Sequence, residues 1–157
     1  MILKENNIRI AVIKHAHHDF DIDYPGKDSY RIRKAGAIET LVASKHRWAL
    51  IHEAQNDTHS PNEEPQLFEL IKQFKTSELD LILVEGFKHE NFPRILLHRK
   101  GVTQSDALPH DSNAIALATD NPETKIDGIS QLDINQPKQI SHFILRFINE
   151  NKRRLPQ

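Results

Sequence analysis

Short apolar runs alternate with amphipathic segments along this chain, which is the pattern of an α/β layer fold with helices over a mostly parallel sheet. The fourth apolar run is interrupted only by Asp80, so it predicts a central parallel strand that is buried on both faces. The runs with strand character are residues 8–13, 38–43, 48–51, 79–84, 95–98 and 114–118.

Three further segments predict α-helices. Residues 29–37 follow a turn of proline and glycine, with Asp28 in position to cap the helix. Residues 67–74 and 140–148 repeat their apolar side chains at helical spacing, which is typical of helices that pack on a core. Residues 1–7 resemble the last turn and exit of a helix.

Size and charge narrow the class of protein. With 157 residues, 38% of them hydrophobic, we expect a single domain over residues 1–157 with its own core. The 21 basic and 22 acidic side chains give a net charge of −1, so a nucleic-acid partner is not indicated. The absence of cysteine excludes disulfides and thiolate metal sites. The sequence shows neither a membrane-length apolar run nor a leader, which predicts a soluble cytoplasmic protein.

A dense polar segment follows the first predicted strand. It begins at the carboxyl edge of the predicted sheet, where open α/β folds bind their ligands. Three interpretations stay open: a transition-metal site, a solvated mobile loop, and a switch loop that faces a nucleotide. The side chains that define the segment are His15, His17, His18, Asp19, Asp21 and Asp23.

The next turn combines the features of an anion site. Gly26 lets backbone amides approach a ligand, Lys27 supplies a cation, and Asp28 opens a helix whose first amides are free. The same residue types also form ordinary turns and helix caps. A basic stretch follows this turn. It has two possible interpretations, a solvated face and a surface that contacts a pyrophosphate or a partner. Its members are Arg31, Arg33, Lys34, Lys45 and Arg47.

The fourth predicted strand ends in a carboxylate, Glu85. A carboxylate at the end of a buried strand is costly unless it has a partner, and in nucleotide hydrolases that position orients a magnesium-bound or attacking water. Glu85 is therefore a candidate magnesium ligand, and pairing with Lys88 or with loop amides is the alternative. Asp120, after the last predicted strand, is either a contact to a nucleotide base or a turn residue.

Six blocks of the sequence together resemble the molybdopterin-guanine dinucleotide biosynthesis adapter proteins, the MobB family. The resemblance implies a three-layer P-loop NTPase-like α/β fold with a mostly parallel sheet. It also implies a homodimeric GTP-binding adapter that helps the guanylyltransferase MobA attach GMP to molybdopterin, with no membrane or nucleic-acid partner. The blocks are residues 11–23, 25–30, 33–37, 42–44, 47–50 and 81–90.

The resemblance assigns expectations to individual residues. Glu85 takes the Walker B-like position and would serve Mg²⁺, while Gly26, Lys27 and Asp28 lie in the loop expected to face GTP. No residue is expected to be catalytic. A nucleotide-sensitive or partner-contacting segment is expected at His17, His18 and Asp19.

One departure from the family changes the expected activity. The five glycines form no Gly-x-x-x-x-Gly-Lys-Ser/Thr motif anywhere in the sequence. We therefore expect an N-terminally truncated member that lacks the first strand, the P-loop and most of the first helix. Without a P-loop, the family's weak GTPase activity should be absent and GTP should bind weakly or not at all. The alternative is a nucleotide-independent adapter that binds MobA or the pterin.

Overall fold

The computed structural model describes residues 2–16, 18, 20–54, 65–102, 108 and 111–152. Two compact units make up the chain, a larger one of Met1–Lys14 with Ile71–Gln157 and a smaller one of His15–Leu70. The described helices are α1 (Ile2–Glu5), α2 (Asp28–Lys34), α3 (Leu67–Lys72) and α4 (Pro137–Lys152), with a 3-10 turn at Thr76–Glu78. The described strands are β1 (Ile10–Lys14), β2 (Glu39–Ala43), β3 (Trp48–His52), β4 (Leu81–Glu85), β5 (Arg94–His98), β6 (Ala114–Thr119) and β7 (Ser130–Asp133).

The strand pairs of the larger unit are parallel. Strand β1 pairs with β4, from Ile10 opposite Leu81 to Lys14 opposite Glu85. Strands β5, β6 and β7 form a second parallel sheet in that order. The smaller unit contains the antiparallel hairpin of β2 and β3. The predicted mostly parallel α/β architecture is therefore confirmed.

The described core of the larger unit lies between β6, β7 and α4. Ala116 and Ala118 of β6 are fully buried and cluster with Leu132 of β7. Ile140 and Phe143 of α4 pack against this cluster, as expected of the apolar stripe of an amphipathic helix. On the opposite face of β6, Leu117 is 1% exposed, so this strand is buried on both faces.

Three sequence predictions are wrong in detail. Strand β4 is only half-buried and pairs with β1 alone among the described strands, so β6 is the central strand instead. Strand β7 was not predicted, because Leu132 is its one apolar residue. Asp28 does not cap α2: the helix begins at Asp28 itself, Lys27 occupies the cap position, and no side chain caps the helix.

A charged contact joins three segments of the larger unit. Asp80, just before β4, accepts hydrogen bonds from the backbone N of Arg9 at 3.0 Å and from its Nε at 3.1 Å. Lys152, at the end of α4, donates to the other carboxylate oxygen at 3.1 Å. Arg9, and then Lys152, hold the pKa of Asp80 well below its usual range. The contact fixes the end of α4 to the beginnings of β1 and β4.

Across the residues that the structure describes, none of the helices combines the length and apolarity needed to cross a lipid bilayer.

Candidate functional site at the carboxyl end of β1 and β4

Strands β1 and β4 end side by side, because their parallel register places Lys14 opposite Glu85. The Lys14 Nζ donates a hydrogen bond to Oε1 of Glu85 at 2.9 Å. The two side chains are 66% and 68% exposed. Glu85 thus has a partner, as expected of a strand-end carboxylate, but the partner is Lys14 and not Lys88. The carboxylate is also accessible to solvent and to a ligand.

The backbone turns sharply directly after Glu85. Gly86 has φ +93° and Phe87 has φ +51°, so two consecutive residues adopt left-handed conformations. Glycine adopts this conformation at little cost, whereas for a residue with a side chain it costs about 1–2 kcal/mol of conformational energy. Phe87 is nevertheless buried, with 9% exposure, and its carbonyl accepts a hydrogen bond from the backbone N of Glu90 at 3.1 Å. This conformation determines how the chain leaves the end of β4.

The turn of Gly26, Lys27 and Asp28 lies in the smaller unit. Gly26 has φ +96°, and a Cβ added there would meet no atom within 4 Å, so the glycine is needed for its backbone conformation and not for a close approach. The backbone N of Lys27 donates to the carbonyl of Tyr24 at 3.2 Å, so that amide already has an acceptor. The Lys27 side chain is exposed. The segment forms an ordinary turn that presents a lysine, and its role toward GTP stays a prediction.

The basic stretch of the smaller unit contains one buried member. Arg33 is 8% exposed and forms ion pairs with Asp21 and Glu53, each at 2.6 Å. Its hydrogen bond to Asp21 lowers the pKa of that carboxyl. A solvated face is therefore the wrong interpretation for Arg33, which ties the polar segment after β1 to the end of β3. The other members are exposed: Arg31, Lys34, Lys45 and Arg47.

The histidine-rich segment gives no described metal site. His17 and Asp19 lie outside the described residues. Within the described ranges, no three His, Asp or Glu side chains are grouped in a way that holds a metal ion. Asp21 is already committed to Arg33. The transition-metal interpretation therefore has no support from the described part of the segment.

Asp120, the candidate base contact, contacts the segment that follows β5. Its Oδ1 accepts a hydrogen bond from the backbone N of Lys100 at 2.9 Å, and its Oδ2 lies 3.8 Å from Nη1 of Arg99. The Lys100 amide is the main reason that the pKa of Asp120 is lowered. These contacts join the ends of β5 and β6, and a role of Asp120 toward a nucleotide base stays a prediction.

The comparisons with known proteins agree with one another. The family model described as "MobB: Molybdopterin guanine dinucleotide synthesis protein B" matches residues 1–120. The molybdopterin-guanine dinucleotide biosynthesis adapter protein of Escherichia coli (strain K12) is 45% identical over 144 residues, which cover 91% of this chain and 78% of that protein. The protein of the same name from Haemophilus influenzae is 40% identical over 144 residues, which cover 91% of this chain and 75% of the relative.

Solved structures support the same assignment. A crystal structure of molybdopterin-guanine biosynthesis protein B superposes with a TM-score of 0.66 at 25% identity, covering 94% of this chain and 84% of the other. A MobB homologue from Bacillus stearothermophilus gives a TM-score of 0.66 at 18% identity, with 95% and 83% covered, and that likeness concerns the fold alone. The predicted P-loop NTPase-like fold is confirmed by these neighbours. The chain belongs to the MobB family.

Proposed function

We propose that this chain is an adapter in the biosynthesis of molybdopterin guanine dinucleotide, binding GTP with Mg²⁺ and acting with the guanylyltransferase MobA on molybdopterin. Membership of the MobB family carries the proposal, since two relatives at 45% and 40% identity bear the adapter name. The test is formation of the dinucleotide by purified MobA, molybdopterin and GTP. Adding the chain should raise the yield, and an unchanged yield over a range of chain concentrations would refute the proposal.

Glu85 is the residue that we propose for magnesium. Mg²⁺ takes oxygen ligands and is commonly held by one or two carboxylates together with substrate phosphates, while it keeps several waters. A single exposed carboxylate at the end of a parallel strand fits that mode of binding. When bound, the ion would neutralise charge on the phosphates. The Lys14 ammonium, 2.9 Å from one carboxylate oxygen, competes with the ion for the same group.

The proposed contact to GTP lies in the turn of residues 26–28. No Gly-x-x-x-x-Gly-Lys-Ser/Thr motif occurs in the sequence, so the backbone cradle for phosphates is not encoded here. The exposed Lys27 side chain, in the turn of Gly26 and Asp28, is the cation that we propose for a phosphate. We expect weak GTP binding and negligible hydrolysis.

Fluorescence anisotropy of a labelled GTP, with and without Mg²⁺, tests both residues. Glu85→Gln should remove the magnesium-dependent part of the signal. Glu39→Gln is its matched control, since Glu39 is also an exposed carboxylate with a basic partner, His52 at 3.3 Å. Lys27→Ala should weaken binding in either buffer, with Lys45→Ala as control. Equal effects of a variant and its control would remove that residue from the proposal.

The nucleotide-independent adapter is the competing function. An immobilised chain should then retain MobA in buffer that contains no nucleotide and EDTA in place of Mg²⁺. Retention that requires GTP and Mg²⁺ favours the nucleotide-binding adapter, and equal retention in both buffers favours the alternative.

We also propose that the hairpin of β2 and β3 forms the homodimer contact. One face of the hairpin carries Leu41, Trp48 and Leu50, which are 61%, 65% and 44% exposed. Large apolar side chains exposed together on one face commonly mark an interaction surface. Glu39 lies at one end of the hairpin and Arg47 at its turn. A two-fold arrangement of two copies would bring opposite charges together at both ends.

Sedimentation velocity tests the dimer directly. The unaltered chain should sediment as a dimer, and Trp48→Glu should shift it to the monomer because a charge would be buried in the contact. Phe68→Glu is the control, because Phe68 is another exposed aromatic, 55% exposed, outside the hairpin. A monomeric unaltered chain at micromolar concentration would refute the proposed contact.

A further inference from the structure

We infer that Arg94 is a positioning residue for Glu85, acting through the backbone of the loop at residues 86–90. Arg94 is the first residue of β5, and its side chain is 17% exposed. It does not touch Glu85 in the described structure. Its role is to hold the loop that leads away from Glu85, so that the carboxylate stays at the edge where β1 and β4 end.

The guanidinium of Arg94 binds the loop at three carbonyl groups. Its Nη1 donates to the carbonyl of Lys88 at 2.6 Å, and its Nη2 donates to the carbonyls of Phe87, at 3.3 Å, and Glu90. The planar fork of arginine suits this arrangement, because several donors with fixed directions meet several acceptors at once. A lysine ammonium has fewer donors and no such plane, so it cannot reproduce the contact.

A second set of contacts fixes the guanidinium itself. Its Nη1 also donates to Oδ2 of Asp111 at 3.1 Å, and its Cζ lies 4.9 Å from the centre of the Phe92 ring. The backbone N of Asn113 donates to the other oxygen of Asp111 at 2.8 Å, which holds this carboxylate in place. The guanidinium of Arg94 is thus held by the segment just before β6 while it binds the loop at residues 86–90.

The loop needs such a restraint because its backbone is strained. Gly86 and Phe87 both have positive φ, and Phe87 lacks the conformational freedom of glycine. Strained residues persist only where the surrounding structure over-determines their conformation. Because Gly86 follows Glu85 directly, relaxation of the loop would change the direction of the peptide at the end of β4. The carboxylate would then lose its fixed position beside Lys14.

This inference rests on the proposed function in one respect, namely that Glu85 binds a divalent cation. The test therefore has two readouts, one without any ligand and one with a metal ion. The variants are Arg94→Met, which removes all the donors, and Arg94→Lys, which keeps the charge. Arg99→Met is the matched control, since Arg99 follows the other end of β5, where its guanidinium contacts Asn135 at 3.2 Å and Asp120 at 3.8 Å. All are compared as full chains after thermal unfolding has confirmed that each is folded.

The first readout is hydrogen–deuterium exchange of residues 84–93, which needs no ligand. Hydrogen bonds to a charged group are strong enough that their loss should speed exchange there roughly tenfold or more in Arg94→Met. Arg94→Lys should have an intermediate effect, and Arg99→Met should leave this segment unchanged. Unchanged exchange in Arg94→Met would overturn the inference, whatever the metal measurements show.

The second readout is the affinity for Mn²⁺, used alone as a paramagnetic substitute for Mg²⁺. Loss of an outer residue that orients a metal ligand commonly weakens binding by about 10-fold to 100-fold. We expect at least a tenfold loss in Arg94→Met and none in Arg99→Met. If Glu85→Gln weakens Mn²⁺ binding, faster exchange in Arg94→Met with unchanged Mn²⁺ affinity would overturn the positioning role. If Glu85→Gln binds Mn²⁺ as well as the unaltered chain, the proposed magnesium site fails, and faster loop exchange would still support the Arg94 restraint.

Discussion

Replacement of Lys14 by methionine separates a magnesium ligand from an ordinary surface ion pair. In the structure the Lys14 ammonium occupies one oxygen of Glu85 at 2.9 Å. If Glu85 binds Mg²⁺, the lysine opposes the ion, and its removal should strengthen binding. If Glu85 serves only as the partner of Lys14, removal of Lys14 should leave the affinity for Mg²⁺ unchanged. The first hypothesis therefore predicts tighter binding of Mg²⁺ by Lys14→Met, and the second predicts no change.

The magnitude follows from the exposure of the pair. Both side chains are about two-thirds exposed, so water screens their attraction strongly. Two unit charges about 4 Å apart in bulk water attract by about 1 kcal/mol. Freeing Glu85 from that attraction should raise the affinity for Mg²⁺ about fivefold. Because exposed ion pairs contribute roughly 0.2–1 kcal/mol to folding, Lys14→Met should lower the melting temperature by only a few degrees.

Isothermal titration with Mg²⁺ and thermal unfolding, both at low salt, measure the two effects. Lys14→Met should bind Mg²⁺ more tightly than the unaltered chain, and Glu85→Gln should bind it less tightly. Lys45→Met, which removes an exposed lysine from the hairpin turn, is the control for the change in net charge. Equal affinities of Lys14→Met and Glu85→Gln would refute the magnesium role of Glu85.

Two further predictions concern stability. Asp80 accepts hydrogen bonds from Arg9 and Lys152, and these hold its pKa below the usual value. Between the folded and unfolded pKa values Asp80 is protonated in the unfolded chain but ionised in the folded one, so this stabilisation is complete above about pH 5 and is lost progressively as the pH falls below it. Urea unfolding between about pH 6 and pH 3 should show a flatter profile for Asp80→Asn, and a slope equal to that of the unaltered chain would contradict the assignment. Leu117→Ala should lower the free energy of unfolding in urea by about 3 kcal/mol, because it leaves a cavity beside β6. Leu97 is 67% exposed, so Leu97→Ala should lower it by less than about 1 kcal/mol. Similar losses in the two variants would show that the face of β6 bearing Leu117 is not a packed core.

Local patterns in the sequence predicted most elements of the fold. Six of the seven described strands and the helices α2, α3 and α4 coincide with predicted segments, apart from shifts at their ends. These predictions succeed because side-chain periodicity reports which face of an element is buried. Strand β7 was missed for the same reason, since a stretch whose one apolar residue is Leu132 has no periodicity to detect.

The partners of the charged residues were not predictable in this way. Pairing with Lys88, three positions away, was one alternative for Glu85, but its partner in the structure is Lys14, which is 71 positions away. Arg33 belonged to an exposed basic stretch in the sequence but is buried between Asp21 and Glu53. The sequence does not single out Arg94, because nothing in its neighbourhood indicates that it binds three carbonyls of a preceding loop.

The fold class, the family and the residue types that end β1 and β4 could all be predicted from the sequence. Those properties depend on periodicity and on blocks of residues that are contiguous in the chain. The tertiary structure alone decided which strand is central, which carboxylate has which cation, and how residues 86–90 are held. The physical reason is that strand register and side-chain contacts join residues far apart in the chain, where short-range spacing carries no information about them.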